Sequence, residues 1–222
     1  MKIAILGAES TGKSHLAGAL ADTLRRQGNN VVLVGEYLRE WCDTHGRTPR
    51  ADEQNHVARE QARRVEAAIA LSADSTVIAD TTPLMTAVYS ELLFNDTSLY
   101  DFAATHQRTY DITLVTGLDL PWVADGLQRD GPHSREATDS LLRAALDRAS
   151  LGYHVVYGTG AARLANALNC LNTIILVANY SYRTLEKRQL LPEKPKMKAW
   201  TWPCEKCSDP DCEHRLFTRL SR

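Results

Sequence analysis

The sequence predicts an α/β fold of three layers, a parallel sheet with helices on both faces. Three observations predict it. Short β-branched apolar runs alternate with longer amphipathic stretches along the first 180 residues. The apolar runs are nearly continuous rather than alternating, as in strands buried on both faces. A length of 222 residues suits one sizeable core with a small appendage.

The elements follow in order. Ile3 to Leu6 reads as the first strand, and Ser14 to Gln27 as a helix stopped by Gly28-Asn29-Asn30. Val31 to Val34 is a second strand. Asp52 to Ser72, rich in Ala, Glu, Arg and Gln, is a long helix. Thr76 to Ala79 is a third strand, followed by helices over Pro83 to Leu93 and Leu99 to Gln107. Ile112 to Val115 is a fourth strand and Glu136 to Ala149 an amphipathic helix. His154 to Tyr157 is a fifth strand, Ala161 to Leu168 a helix, and Thr173 to Val177 a sixth, weaker strand. Strands joined by helices make βαβ units. The composition shifts only after about Tyr180, and Lys187 to Pro203 carries Lys, Pro and two tryptophans without periodicity. The chain therefore divides into a domain over 1–180 and an extension over 181–222.

Hydrophobic residues make up 44% of the chain, charged residues 24%, and the formal net charge is -1. That balance supplies no field to attract nucleic acid or anionic lipid. No apolar run reaches the length of a membrane span, and the run after Lys2 is too short for a signal peptide. The expected location is the cytoplasm. Five cysteines, three of them in the last nineteen residues, argue against a disulfide framework.

Gly7-Ala8-Glu9-Ser10-Thr11-Gly12-Lys13-Ser14 fits G-x-x-x-x-G-K-[ST], with a strand before it and a helix after it. The glycines let successive N–H groups curl around phosphate oxygens, and the helix turns its positive end to the same anion. Lys13 is expected to reach the β- and γ-phosphates and the Ser14 hydroxyl to ligate Mg²⁺. This is a P-loop, and the ligand it implies is a nucleoside triphosphate, ATP, with Mg²⁺.

Chemistry in an open α/β sheet gathers beyond the carboxyl ends of the strands. Glu36 follows the second strand and Asp80 the third. Phosphoryl transfer needs one carboxylate near Mg²⁺ and another to orient or deprotonate the attacking hydroxyl. Asp80 is assigned to Mg²⁺ and Glu36 to the acceptor, with the reverse order equally compatible with the sequence. The plainer alternatives are a Glu36–Arg39 pair and Asp80 as a helix cap.

Asp119 to Arg135 combines Gly, Pro, Asp and Arg and reads as a loop. As a lid over the triphosphate, it would bring Arg129 and Arg135 to the transferred charge. As a solvated loop, it would not. Trp122 either stacks on an aromatic acceptor or belongs to the core.

Taken together, these pieces resemble the ribosylnicotinamide kinase domain of the NadR type. The resemblance lies in Ile5 to Ser14, Glu36-Tyr37-Leu38-Arg39-Glu40, Asp80-Thr81, and Trp122-Val123-Ala124-Asp125-Gly126-Leu127-Gln128-Arg129, in that order over roughly residues 1 to 175. It implies a P-loop NTPase sandwich with a parallel five-stranded core sheet. It also implies transfer of the ATP γ-phosphate to the ribose 5′-hydroxyl of nicotinamide riboside. By position it gives Lys13, Glu36, Asp80 and Arg129 as catalytic. The nucleotide set is Gly7, Glu9, Ser10, Thr11, Gly12, Lys13, Ser14, His15, Arg129 and Arg135, with Ser14 and Asp80 at Mg²⁺. The acceptor set is Glu36, Tyr37, Arg39, Trp122 and Asp125. Known members carry an adenylyltransferase domain ahead of the kinase; this chain starts at the first strand, so that activity is not expected. A kinase of another nucleoside and a nucleotide-dependent switch are the competing readings.

The C-terminal tail departs from the family pattern. Cys204, Cys207, Cys212 and His214 form C-x₂-C-x₄-C-x-H, a tetrahedral shell for structural Zn²⁺. Unligated or redox-active thiols are the alternative. Lys194, Lys196, Lys198, Trp200 and Trp202 precede it and read as a solvated linker rather than a nucleic-acid surface.

Overall fold

The computed structural model describes residues 1–71, 74–123 and 134–173. Five strands form the sheet: β1 (Lys2–Leu6), β2 (Val31–Val34), β3 (Thr76–Asp80), β4 (Ile112–Thr116) and β5 (His154–Val156). Every pairing is parallel, in the order β2-β3-β1-β4-β5. Ile5 lies beside Asp80 on one side and Leu114 on the other, and Val34 lies beside Ala79. The strand ends are therefore level, and the connections leaving β1, β2, β3 and β4 emerge along one edge.

The helices are α1 (Lys13–Arg26), α2 (Tyr37–His45), α3 (Gln54–Leu71), α4 (Pro83–Phe94), α5 (Tyr100–Gln107) and α6 (Ser134–Arg148). A seventh, α7, covers 160–173. Alternation along β1 sorts them onto the two faces. Ile3 and Ile5 pack with Leu16, Leu20 and Leu24 of α1 and with Ala167 and Leu171 of α7. Ala4 and Leu6 pack with Ala58 of α3, Leu84 and Val88 of α4, Ala103 of α5 and Leu142 of α6. Ile3, Ile5, Leu20, Ile78 and Leu114 are wholly buried; each contributes about 1.5–3 kcal/mol of transfer free energy. These are the three layers that the sequence predicts and the parallel five-stranded sheet that the resemblance implies.

Three local features differ from the sequence reading. The helix expected from Asp52 begins instead as a 3₁₀ turn, Ala51–Glu53, before α3. The cause is Glu53, whose carboxylate turns back to the Arg47 guanidinium at 2.7 and 2.8 Å and to the Arg50 N–H at 2.8 Å. Those hydrogen bonds hold the carboxyl down at about 2 and tie residues 47–50 to the turn. Helix α2 was not anticipated; Trp41 and Cys42 bury it against Val57 of α3, and Gly46, at φ 65°, ends it. Thr173 is helical, so the sixth strand does not start there, and 174–177 lie outside the described residues. Among the described residues, no helix is long and apolar enough to cross a membrane.

Candidate functional site

The loop between β1 and α1 is held open by its backbone. Gly7 has φ 147° and Gly12 φ 77°, angles that favour glycine. A Cβ on Gly7 would collide with the Thr116 hydroxyl. That hydroxyl hydrogen-bonds Leu6 O at 3.1 Å and the Thr11 hydroxyl at 2.6 Å, which itself reaches Ala8 O at 2.7 Å. Lys13 is buried, and its Nζ donates to Ala8 O at 2.9 Å. The ammonium is thus folded back across the mouth of the loop, where phosphate oxygens would compete for it.

Asp80 ends β3 beside this loop. It hydrogen-bonds Ser14, and burial pushes its carboxyl above the usual range against the pull of Ser14, Lys13 and Arg39. Its Oδ1 is buried without a hydrogen-bond partner. An orphaned carboxylate oxygen next to the first hydroxyl of the helix fits a hard divalent cation with oxygen ligands. Glu36 stands before α2, with Arg39 Nε 3.9 Å from Oε2. Burial raises its carboxyl; Lys13 opposes this, Asp80 adds to it, Arg39 opposes and Glu9 adds. The Glu36–Arg39 pairing is therefore present, but burial outweighs it and the carboxyl stays raised.

Two cavities meet here. One, of about 730 Å³, is open and bordered by Gly12, Ser14, His15, Gly35 and Asp80. The other, of about 270 Å³, is bordered by Leu38, Cys42, Pro49, Gln54, Tyr89 and Phe94. Ser10, Lys13, Glu36 and Arg39 border both. Glu9 is on the second cavity, not the first, with Thr138 of α6 donating to it at 3.5 Å.

The remaining expected residues fall elsewhere. Tyr37 borders neither cavity; its N–H donates to Gln61 Oε1 at 2.7 Å and its ring lies under Arg64. Trp122 is half-buried and also borders neither. Next to it, Val123 donates its N–H to Ser10 Oγ at 2.7 Å, so this segment lies on the phosphate loop. Arg135 is buried at the start of α6 and donates to Leu120 O at 3.0 Å and Leu118 O at 3.4 Å. It anchors the connection after β4 instead of presenting its charge to either cavity. Asp125, Arg129 and the Cys204, Cys207, Cys212, His214 set lie outside the described residues. Among the described residues, no cluster of three or more His, Cys, Asp or Glu is placed to hold a metal.

Sequence reasoning missed Arg163. It is buried in α7 and donates to Thr11 O at 2.9 Å, Gly117 O at 3.2 Å, Gly158 O at 2.7 Å and Asp119 Oδ1 at 3.0 Å. One guanidinium thus joins the phosphate loop to the ends of β4 and β5. Its signal was a lone arginine on the buried side of an alanine-rich helix directly after Gly158-Thr159-Gly160.

A model of the AAA domain family matches residues 2–163. The chain belongs to that family. No curated protein sequence matches it significantly. Among solved structures, this AAA-domain chain is similar to NadR in complex with NAD and AMP-PNP, at 19% identity and TM-score 0.61, covering 78% of this chain and 49% of that one. A complex of NadR with NR is similar at 19% identity and TM-score 0.60, covering 78% and 51%. Thymidylate kinase from Ehrlichia chaffeensis is similar at 18% identity and TM-score 0.56, covering 78% and 98%. The chain spans about half the length of the NadR chains it matches. At these identities the shared property is the fold, which is P-loop kinase-like.

Proposed function

We propose that this AAA-domain protein is an ATP-dependent kinase that phosphorylates the ribose 5′-hydroxyl of nicotinamide riboside. One observation carries the reading: a small, partly apolar cavity and an open phosphate-side cavity share a border at Lys13, Glu36 and Arg39. Phosphoryl transfer needs that arrangement, a donor on one side and an acceptor on the other with a base and a cation between them. The resemblance to the NadR-type kinase motifs and the NadR fold support the choice of acceptor.

In this reading the loop N–H groups and Lys13 bind the β- and γ-phosphates. Glu36 accepts a hydrogen bond from the 5′-hydroxyl and takes its proton as that oxygen bonds to γ-phosphorus. The bond from γ-phosphorus to the bridging oxygen breaks, and ADP leaves. Burial of Glu36 lifts its proton affinity towards what a base needs at neutral pH. Ser14 and Asp80 are the residues that would hold Mg²⁺, which neutralises phosphate charge. Arg129 and Asp125 are proposed at the same site on sequence grounds alone. The C-terminal Cys204, Cys207, Cys212 and His214 are proposed, also from sequence, to bind structural zinc. Zinc analysis of protein purified without chelators tests this, and metal-free protein would end it.

The kinase reading is tested by ADP release with ATP and Mg²⁺, with and without nicotinamide riboside. Stimulation by the riboside with formation of the mononucleotide is expected. Stimulation only by another nucleoside would move the acceptor and keep the reaction. No stimulation by any nucleoside would leave a nucleotide-dependent switch in its place.

A further inference from the structure

The small cavity is bordered by a glutamine whose hydrogen bonding is half complete. Gln54 opens α3, is 3% exposed, and borders the small cavity but not the phosphate side. Its Nε2 donates to Pro49 O at 3.2 Å. Because a carbonyl only accepts, that bond fixes which way the amide is turned. Oε1 is left buried with no hydrogen-bond partner.

A second glutamine on the same helix shows what a purely structural one looks like here. Gln61 lies seven residues on, on the same face, and is equally buried. Its Oε1 accepts from the Tyr37 N–H at 2.7 Å, and its Nε2 lies 3.3 Å from Gly35 O and 3.5 Å from Thr81 O. Both ends of that amide are used. A buried acceptor without a partner carries the full desolvation penalty, so Gln54 Oε1 calls for a donor that the protein does not provide.

The rest of the cavity indicates what brings that donor. Its ionic groups, Glu9, Lys13, Glu36 and Arg39, belong to the phosphate loop and to the start of α2. Leu38, Tyr89, Leu93 and Phe94 add apolar and aromatic wall. Leu93 and Phe94, at the end of α4, are 46% and 38% exposed. A flat ring against that wall would cover them.

We propose that Gln54 is a specificity-determining residue that reads the acceptor's base, its Oε1 accepting a hydrogen bond from a carboxamide or amino N–H on a planar nitrogen heterocycle. This rests on the kinase reading above. It selects for amide- or amine-bearing nucleosides and against analogues that present only acceptor oxygens at that position. Such an analogue would set lone pair against lone pair, and the amide could turn only by facing Oε1 to Pro49 O.

The test compares nicotinamide riboside with nicotinic acid riboside, in which a charged carboxylate replaces that N–H, at saturating ATP and Mg²⁺. The wild-type protein is expected to favour the amide by at least about tenfold in kcat/KM. Gln54→Met is expected to raise KM for the amide by about tenfold, leave KM for ATP unchanged, and bring the two ribosides within about threefold of each other. Equal use of both ribosides by the wild type would overturn the inference while leaving the kinase reading standing. So would a Gln54→Met protein that keeps the preference. If that variant does not fold, equal use of both ribosides by the wild type still overturns the inference. If no nucleoside stimulates ADP release, the kinase reading falls and this inference falls with it.

Discussion

On the phosphate side the loop is shaped by its backbone: Gly7 and Gly12 stand at positive φ, and the carbonyls of Leu6, Ala8 and Thr11 are tied up by Thr116, Lys13 and Arg163. On the side proposed for the acceptor the cavity is bordered by residues of α2, by Thr48 and Pro49, by Gln54 at the start of α3, and by α4. A backbone cradle binds whatever carries phosphate and is indifferent to the rest of the molecule. A side-chain cavity can change its selectivity one residue at a time without disturbing the cradle. Such a loop can be combined with different cavities on one fold, and the substitutions that separate the two sides are specific.

The largest expected effect is at their border. Glu36→Gln removes the proposed base and is expected to lower kcat by about a thousandfold, with ATP affinity unchanged. An unchanged kcat removes Glu36 from the chemistry. Its stability effect has a definite sign. The folded-state carboxyl is raised, so the protonated form is the one folding favours. The ionised carboxylate therefore costs stability above the folded value, and that cost disappears below the unfolded value. Glu36→Gln should hold or raise Tm at neutral pH, with the advantage shrinking as the solution is acidified. In the wild type, activity is expected to fall on the acid side as Glu36 protonates, with a midpoint above that of an ordinary glutamate. A midpoint at or below the ordinary value argues for another base.

Lys13→Ala comes next. It removes one preorganised charge from the phosphate side, and about a hundredfold to a thousandfold loss in kcat/KM is expected, with weaker ATP binding. The KM of the acceptor should move much less. A change confined to the acceptor would place Lys13 on the wrong side of the border.

Arg163→Met tests whether the cradle depends on what lies behind it. Four acceptors lose their donor, and Asp119 loses the guanidinium that, with the Gly158 N–H, outweighs burial and holds its carboxyl low. About 3 kcal/mol of unfolding free energy should be lost, read by urea denaturation, together with weaker ATP binding. Unchanged stability would mean that the four hydrogen bonds are replaced by water.

The same division separates what could be read in the sequence from what could not. The strands were legible because Ile3 to Leu6, Val31 to Val34 and Ile112 to Val115 are apolar almost throughout, and a doubly covered parallel sheet is what accepts that. The phosphate loop was legible because eight consecutive residues make it. The small cavity was not. Leu38, Pro49, Gln54 and Phe94 become neighbours only through the packing of α2, α3 and α4, and α2 is two turns long, with Trp41 and Cys42 as its buried residues. Glu36 was found because it comes after a strand end, and Arg39 through the family resemblance; Gln54, whose proposed role depends on one unpaired oxygen, has no sequence signature. Tyr37 was expected on the acceptor from the family resemblance, but the first turn of α2 directs it towards α3.

The smallest expected effect isolates the acceptor side. Phe94 closes α4 at the rim of the small cavity and is 38% exposed, so its truncation removes little from the core. Phe94→Ser should change unfolding free energy by less than about 1 kcal/mol, within the range for partly exposed positions. If an acceptor ring lies against this wall, the same substitution raises its KM by about threefold to tenfold, the cost of losing one face of apolar contact. The KM for ATP should not move, because Phe94 does not border the phosphate side. Parallel changes in both constants would show that the two sides are coupled through α4, and the division between a backbone cradle and a side-chain cavity would then fail as a description of how this site selects its ligands.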